Sequence, residues 1–354
     1  MTARTRAQAF CTRFGLRAPI LQAPMAGACP PALAAAVASA GGMGGFGALT
    51  SSPAQIRDWA AQFRARSNGS VQVNLWAPDP PPRRDAAHEA RLRATLHALS
   101  GTAPPEPGPG PFVQDFAAQC EALIEAAPPV ASTIMGLFPP EVAARLRAQG
   151  IAWFCNVTTV AEARAAEAAG ADAVVAQGAE AGGHRGTFED AAAEQSGAGL
   201  FALLPQVADA VRLPVIAAGG IMDGRGIAAA LTLGASAVQM GTAFLRCPEA
   251  AIHPAWAAAI GRTAPEDTVL TRGFSGRLGR GIRNQVTEAF AGDLRPAPYP
   301  VQRALMAPVR AAAEAAGEVG RMQAWAGQGA ALAREAPAGE LVRRLWTEAA
   351  ALLP

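Results

Sequence analysis

A single histidine in a glycine-rich stretch is the residue of this sequence best suited to acid–base chemistry. His184 lies within GGHRG at 182–186, where Gly182 and Gly183 let the backbone approach a ligand closely. Imidazole titrates near neutral pH, which suits proton abstraction. We therefore take His184 as the candidate catalytic base and Glu180 as the candidate to orient it. A solvent-exposed loop histidine is the alternative.

Two glycine turns, one βα unit apart, predict a phosphate site. Gly219-Gly220 and Gly241-Thr242 each follow a short apolar run that reads as a buried parallel strand. Bare backbone N–H groups at the carboxyl ends of such strands suit a phosphate dianion. In (β/α)8 barrels the phosphate site usually follows the last two strands. For either pair taken alone, a tight turn without a ligand is the alternative.

The remaining polar positions predict a flat, neutral ligand. Asn74 and Gln177 each end a predicted strand, and their amides can donate to and accept from a heteroaromatic ring. We find no nucleophile elbow and no His/Glu spacing that suits a metal, so no metal site is expected. One phosphate, a planar ring and no dinucleotide fingerprint predict FMN, with the cofactor carrying the electron chemistry. A sugar-phosphate or nucleotide isomerase would share the phosphate site.

These residues need a parallel sheet to position them, and the strand pattern supplies one. Buried strands are expected near residues 20, 44, 73, 132, 153, 175, 216 and 239, with helices between most of them. Eight such repeats predict an α/β fold, a (β/α)8 TIM barrel over 1–246, interrupted by a Pro-rich excursion at 77–110. Beyond residue 246 the strand signal disappears. We expect a smaller, mainly helical cap or substrate domain at 247–354 that packs partly back on the barrel, with helices at 253–261, 284–290, 302–317, 322–334 and 339–353.

Composition limits the classes of partner. The 354 residues carry a formal net charge of +2, and the sequence contains no lysine, which excludes a lysine Schiff base. Nothing indicates a nucleic-acid or membrane partner. Five cysteines without a CxxC pair favour a reducing compartment. Without a signal peptide or an apolar run long enough to span a bilayer, we expect a cytoplasmic protein with a small-molecule substrate.

Four stretches carry a resemblance to a known family. APILQAPMAG (18–27), GAEAGGHRG (178–186), PVIAAGGIMDGRG (214–226) and AVQMGTAF (237–244) resemble the nitronate monooxygenases, formerly called 2-nitropropane dioxygenases. The resemblance implies an FMN-dependent TIM-barrel flavoprotein that oxidises alkyl nitronates with O2 to a carbonyl compound and nitrite, through one-electron reduction of the flavin. Propionate 3-nitronate and nitroalkanes are the substrates it suggests. Gln177 and the tail that contains Phe274–Arg277, Tyr299 and Gln302 are similar to class I of the family.

The resemblance also implies roles for individual residues. His184 would be the catalytic base. The turn formed by Pro24, Met25 and Ala26 would face the flavin. The implied ring, ribityl and phosphate contacts are Asn74, Gln177, Gly182, Gly183, Gly219, Gly220, Gln239, Met240, Gly241 and Thr242.

The sequence departs from the family in its expected substrate pocket. Ile134 stands where the family often has a second histidine, and the chain has one tyrosine and no lysine. Arg185, Arg277 and Arg280 are candidates to bind an anionic substrate instead. Two alternatives remain at this point, an NAD(P)H-dependent flavin reductase of the quinone or enoyl-ACP type and a flavin-binding protein without this catalysis. The sequence also leaves a homodimer open.

Overall fold

Eight parallel strands form a closed barrel in the computed structural model, which describes residues 1–101 and 103–354. The first nine strands are β1 (Ile20–Gln22), β2 (Gly44–Gly47), β3 (Val71–Trp76), β4 (Val130–Ile134), β5 (Ala152–Val157), β6 (Ala173–Gln177), the two-residue β7 (Gly183–His184), β8 (Val215–Ala218) and β9 (Ala237–Met240). All of these except β7 form one sheet in the order β1-β9-β8-β6-β5-β4-β3-β2. The sheet closes where Leu21 of β1 bridges Met43 just before β2. The predicted TIM barrel is confirmed.

Helices surround the barrel, and their starts follow from local sequence. They are α1 (Ala3–Phe14), α2 (Pro31–Ser39), α3 (Pro53–Arg64), α4 (Ala86–Ser100), α5 (Phe116–Ala126), α6 (Pro140–Ala148), α7 (Val160–Ala168), α8 (Leu200–Ala210) and α9 (Gly224–Thr232). Proline occupies the first turn of α2, α3 and α6, where its missing N–H costs nothing. Ser52 with Gln55, and Thr159 with Glu162, form capping boxes that start α3 and α7.

The first helix covers the amino-terminal end of the barrel. Phe10 and Cys11 of α1 pack in one buried cluster with Leu21, Phe154 and Ile216 from the barrel strands. This hydrophobic plug leaves the carboxyl ends of the strands as the open end, which is where TIM barrels place their ligands.

The chain beyond the barrel contains strands as well as helices, which corrects the expectation that strands end at residue 246. Its elements are α10 (Pro254–Ile260), β10 (Thr268–Thr271), β11 (Gly279–Ile282), α11 (Gln285–Ala289), α12 (Val301–Ala316) and α13 (Ala338–Leu352). Strands β10 and β11 pair antiparallel, and β11 continues the pairing to β7, with Gly279 opposite His184. The Gly-Arg-Gly sequence of β11 offers no alternation of apolar side chains, so its sequence does not indicate a strand.

The helix predicted at 322–334 is also wrong. Only a short 3-10 turn, Ala330–Leu332, forms there. A Cβ atom on Gly327 would lie 2.7 Å from the carbonyl oxygen of Glu180, and one on Gly329 would lie 2.5 Å from Cγ of Met222. These close approaches to the barrel loops favour irregular backbone over the helix that the alanine content suggested.

The segment 77–110 packs against the part of the chain that follows the barrel. Leu92 and Leu96 of α4 are buried in a cluster with Leu305, Met306 and Val309 of α12. Residue 102 of this segment lies outside the described residues. At the other end of the chain, α13 packs against α2 and α9 of the barrel. Among the described residues, no helix has the length and apolar character needed to cross a membrane.

Candidate active site

A cavity of about 510 Å³ opens at the carboxyl ends of the barrel strands. This volume lies in the usual range for small-molecule and cofactor sites. The predicted catalytic base and the predicted cofactor contacts line it: Pro24, Met25, Ala26, Asn74, Gln177, Gly182, Gly183, His184, Gly219, Gly220, Gln239, Met240, Gly241 and Thr242. The structure therefore brings together residues that are up to 218 positions apart in the sequence (242 − 24).

The two glycine turns form one end of this cavity. Gly219 has φ 118° and Gly220 has φ 68°, and residues other than glycine rarely adopt such positive φ values. The Thr242 hydroxyl accepts a hydrogen bond of 3.0 Å from the Gly327 N–H. Its own hydrogen therefore stays available to an anionic ligand.

Neutral side chains with unused hydrogen-bonding atoms form another part of the wall. Gln72 donates to the Gln239 side chain at 2.9 Å, while Gln72 Oε1 and Asn156 Nδ2 are buried without a protein partner. Buried polar atoms nearly always have a partner. Orphaned donors and acceptors that line one cavity therefore fit a polar, uncharged ring system such as a flavin.

Gln177 lies in the wall and also holds the loop that carries His184. Its Nε2 donates to the His184 carbonyl oxygen at 3.1 Å, and its Oε1 accepts from the Gly186 N–H at 2.8 Å. A Cβ atom on Gly186 would lie 2.1 Å from Asn156 Nδ2. The amide of Gln177 thus sets the path of the backbone on both sides of residue 185.

The His184 ring is enclosed by aromatic side chains. Its centroid lies 4.8 Å from the Trp76 ring and 5.1 Å from the Trp325 ring, both in edge-on arrangements. Its Nε2 lies 2.8 Å from Ser275 Oγ. Ser275 lies beyond the barrel strands, so the candidate base is held jointly by a barrel loop and by the part of the chain that follows the barrel.

The surroundings of His184 keep its ring neutral. Burial, followed by the positive charges of Arg277, Arg303 and Arg310, lowers the pKa of His184 from 6.5 to about 3. A carboxylate near the ring would have the opposite effect. The ring is therefore unprotonated at physiological pH, which is the form that accepts a proton, and the same shift makes it a weaker proton acceptor than a free imidazole.

The structure gives Glu180 a different role from the one expected. Both its carboxylate oxygens accept from the Leu200 N–H, at 2.8 and 2.9 Å, so it caps the start of α8. Ser275 takes the place at His184 that was expected for Glu180. No local pattern indicates this partner, because Ser275 lies 91 positions further along the chain.

The arginines at the cavity are also different from the expected ones. Arg277 pairs with Asp79, Arg185 donates to backbone carbonyl oxygens such as Thr158 O, and Arg280 donates to the Ala179 carbonyl oxygen. The arginines that line the cavity are Arg303 and Arg310 of α12.

Arg310 donates to Gln323 Oε1 at 2.6 Å, and its Nε is buried without a partner. Burial, followed by the charge of Arg303, lowers the pKa of Arg310 to about 10, although Glu314 opposes the shift. Two guanidinium groups against the single carboxylate of Glu314 leave this wall with a net positive charge.

Comparison with known proteins assigns the chain to a family. A family model described as "Nitronate monooxygenase" matches residues 8–348. The nitronate monooxygenase of Paraburkholderia phytofirmans is 42% identical over 98% of this chain and 96% of its own length. That of Pseudomonas aeruginosa is 43% identical over 96% of this chain and 98% of its own.

Solved structures agree with this assignment. The nitroalkane oxidase from Streptomyces ansochromogenes has a TM-score of 0.89 at 41% identity, over 97% of this chain and 98% of that one. FabK from Thermotoga maritima has a TM-score of 0.76 at 28% identity, over 97% of this chain and 96% of that one. The chain belongs to the nitronate monooxygenase family of flavin-dependent oxidoreductases, enzymes that oxidise nitronates.

Proposed function

We propose that this protein binds FMN in the 510 Å³ cavity and oxidises alkyl nitronates, such as propionate 3-nitronate or those formed from nitroalkanes, with O2 to a carbonyl compound and nitrite. The observation that carries the proposal is the placement of a neutral His184 in the same cavity as the glycine turns and the unpartnered amide atoms. This combination provides a base, an anion cradle and a surface for a polar ring in one enclosure.

The cavity wall divides into regions that suit the parts of FMN. Gly219, Gly220, Gly241 and Thr242 would hold the phosphate, since they offer N–H groups, a free hydroxyl hydrogen and no bulk. Gly182, Gln239 and Met240 would contact the ribityl chain. Pro24, Met25, Ala26, Asn74, Gln177 and Gly183 would lie along the ring. When bound, the flavin supplies the electron acceptor for the nitronate and the centre that reacts with O2.

The protein's own groups prepare the substrate. A neutral nitroalkane must lose a proton from the carbon that bears the nitro group, and His184 is the base for this step. A preformed nitronate is already deprotonated, so it needs no base. Trp76 and Trp325 contact the imidazole edge-on and hold its orientation, and the positive potential of Arg303 and Arg310 favours the anionic nitronate.

The barrel and the chain beyond it contribute different residues to the site. We infer that residues 247–354, together with α4, act as the cap that completes the substrate side, because Ser275, Arg303, Arg310 and Trp325 come from this part of the chain. A homodimer and a cytoplasmic location stay predictions.

Two measurements test the proposal. Flavin released by heating the purified protein should co-migrate with FMN and not with FAD on reversed-phase chromatography. His184→Asn should retain the flavin and lose turnover of a neutral nitroalkane, while it keeps much of its activity on the preformed nitronate. Release of FAD would refute the cofactor, and full nitroalkane turnover by His184→Asn would remove the base.

A further inference from the structure

Ser275 is buried, with 1% of its surface exposed, and makes a closed set of hydrogen bonds beside the candidate base. Its hydroxyl lies 2.8 Å from His184 Nε2. It donates to the Arg277 carbonyl oxygen at 3.1 Å and accepts from the Arg277 N–H at 3.3 Å. Ser275 is absent from the cavity lining, so it acts on a ligand only through His184.

These contacts favour one placement of the hydrogens, the one that leaves no buried acceptor unpaired. A carbonyl oxygen can only accept, so the Ser275 hydroxyl hydrogen points to Arg277 O. The hydroxyl oxygen is then the acceptor for His184 Nε2, which must carry the ring hydrogen. In the opposite tautomer the hydroxyl would donate to Nε2 and leave the carbonyl of Arg277 without this partner, at the cost of a buried unpaired acceptor.

Arginine contacts on both sides fix the loop at 272–277, which carries Ser275; we call these contacts the clamps. Arg272 donates to both carboxylate oxygens of Asp190 at 2.8 Å. Arg277 donates to Asp79 Oδ2 at 2.8 Å and to the Thr187 carbonyl oxygen at 2.9 Å. The clamps tie the loop to the segment after β3 and to the segment that follows His184, so the serine keeps its distance from the imidazole.

Glycine is needed next to the serine. Gly276 has φ 93°, and a Cβ atom there would lie 2.4 Å from the Tyr299 backbone nitrogen. The tight backbone at this position turns the chain between the two clamping arginines. The hydroxyl is therefore placed by local geometry as well as by the ion pairs.

We propose that Ser275 is a positioning residue that holds His184 in the Nε2–H tautomer, so that Nδ1 is the atom that takes the substrate's proton. The inference rests on the proposed function of His184 as the base. Within the described part of the chain, no protein group makes a hydrogen bond with Nδ1, and the ring lines the cavity. In the step, the substrate C–H bond breaks, its electron pair stays on the nitronate, and the proton forms an N–H bond at Nδ1. Nε2–H continues to donate to Ser275.

The tautomer can be read without any turnover. The holoprotein labelled with 15N in its histidine rings is examined by long-range 1H–15N correlation, and the His184 signals are identified by their loss in His184→Asn. We expect a neutral ring with a protonated Nε2 and a bare Nδ1. A protonated Nδ1 with a bare Nε2 would overturn the inference.

Kinetics with two substrates separate positioning from general structural damage. Ser275→Ala should lower kcat/KM for a neutral nitroalkane by about tenfold, the loss expected for one hydrogen bond to a group that becomes charged, and change it far less for the preformed nitronate. Ser275→Cys, which keeps the size and a weak donor, should fall between Ser275→Ala and the unmodified protein. Ser39→Ala, an exposed hydroxyl at the opposite end of the barrel, is the matched control.

The outcomes distinguish the two proposals. An equal loss on both substrates, or no loss on either, would overturn the role of Ser275. If Ser275→Ala does not fold, Ser275→Cys and the tautomer of the unmodified protein still decide the question. If the unmodified protein oxidises no nitronate, the proposed function fails, and the ring spectrum still reports whether Ser275 sets the tautomer.

Discussion

Replacing Gln177 by leucine should loosen the loop that carries His184. The leucine keeps similar bulk but removes both hydrogen bonds of the amide, to the His184 carbonyl oxygen and to the Gly186 N–H. Gly186 is buried, so its N–H would be left unpaired at a cost of about 1–3 kcal/mol. Under conditions where the exchange rate reports the free energy of local opening, hydrogen exchange of the Gly186 amide should then become faster by a factor of about 5 to 150.

The matched variant is Gln177→Glu. A carboxylate oxygen still accepts from the Gly186 N–H, but no N–H remains to donate to the His184 carbonyl oxygen. We expect Gly186 to stay protected in this variant, while kcat/KM for a neutral nitroalkane falls in both variants, because His184 is displaced in each.

Hydrogen exchange of the Gly186 amide, measured by two-dimensional NMR on the holoprotein, tests whether Gln177 holds this loop. If Gln177→Leu leaves exchange at Gly186 unchanged and only weakens flavin binding, the loop-holding role is refuted, and Gln177 acts through the cofactor alone. A control with Gln206→Leu, an exposed glutamine on α8 that donates to Ala202 O, should change neither quantity.

Four further predictions concern charge and backbone. Because burial and three arginines hold the pKa of His184 at about 3 rather than 6.5, kcat/KM for a neutral nitroalkane should stay level from about pH 8 to about pH 5, and an acid limb near 6.5 would contradict it. The lowered pKa of His184 also makes the stability depend on pH. The stability that a neutral His184 contributes is complete above pH 6.5 and is lost as the pH falls towards 3. His184→Asn should therefore flatten the dependence of the unfolding free energy on pH over this range, measured by urea unfolding. Arg310→Met should raise KM for an anionic nitronate by about fivefold, or about 1 kcal/mol, with Arg66→Met as the exposed control; an unchanged KM would show that Arg310 does not contact the anion. Gly219 has φ 118°, and a Cβ atom there would lie 3.2 Å from the Ala181 nitrogen. Gly219→Ala should therefore weaken flavin binding in a fluorescence titration through about 1–3 kcal/mol of strain. Gly101→Ala, where φ is 67° and a Cβ atom would meet open space, should leave flavin binding unchanged.

The barrel could be predicted from the sequence because its signals are local. Each buried parallel strand is a short apolar run bounded by glycine or proline, and the run at Val215–Ala218 that ends in Gly219 shows this clearly. The same strand ends carry the candidate site residues. Once the strands were placed, their carboxyl ends had to meet, so His184 and the glycine turns were expected in one cavity.

The chain beyond the barrel could not be predicted in the same way, because its geometry depends on contacts between distant residues. The pairing of Gly279 with His184 joins β11 to a barrel loop, and neither sequence alone indicates the other. The pattern predicted α12 as a helix, but it did not show that Arg303 and Arg310 face the cavity. The alanines of 322–334 favour a helix by propensity, whereas Gly327 and Gly329 are held against the barrel by tertiary contacts.

Anaerobic mixing of the purified holoprotein with propyl-2-nitronate and, separately, with NADH would test the proposed reaction, with the flavin absorbance as the signal. We predict that the nitronate changes the flavin spectrum within the first turnover, that NADH leaves it unchanged, and that O2 restores the oxidised spectrum. Complete bleaching by NADH with no response to the nitronate would contradict the proposal and identify the protein as a flavin reductase.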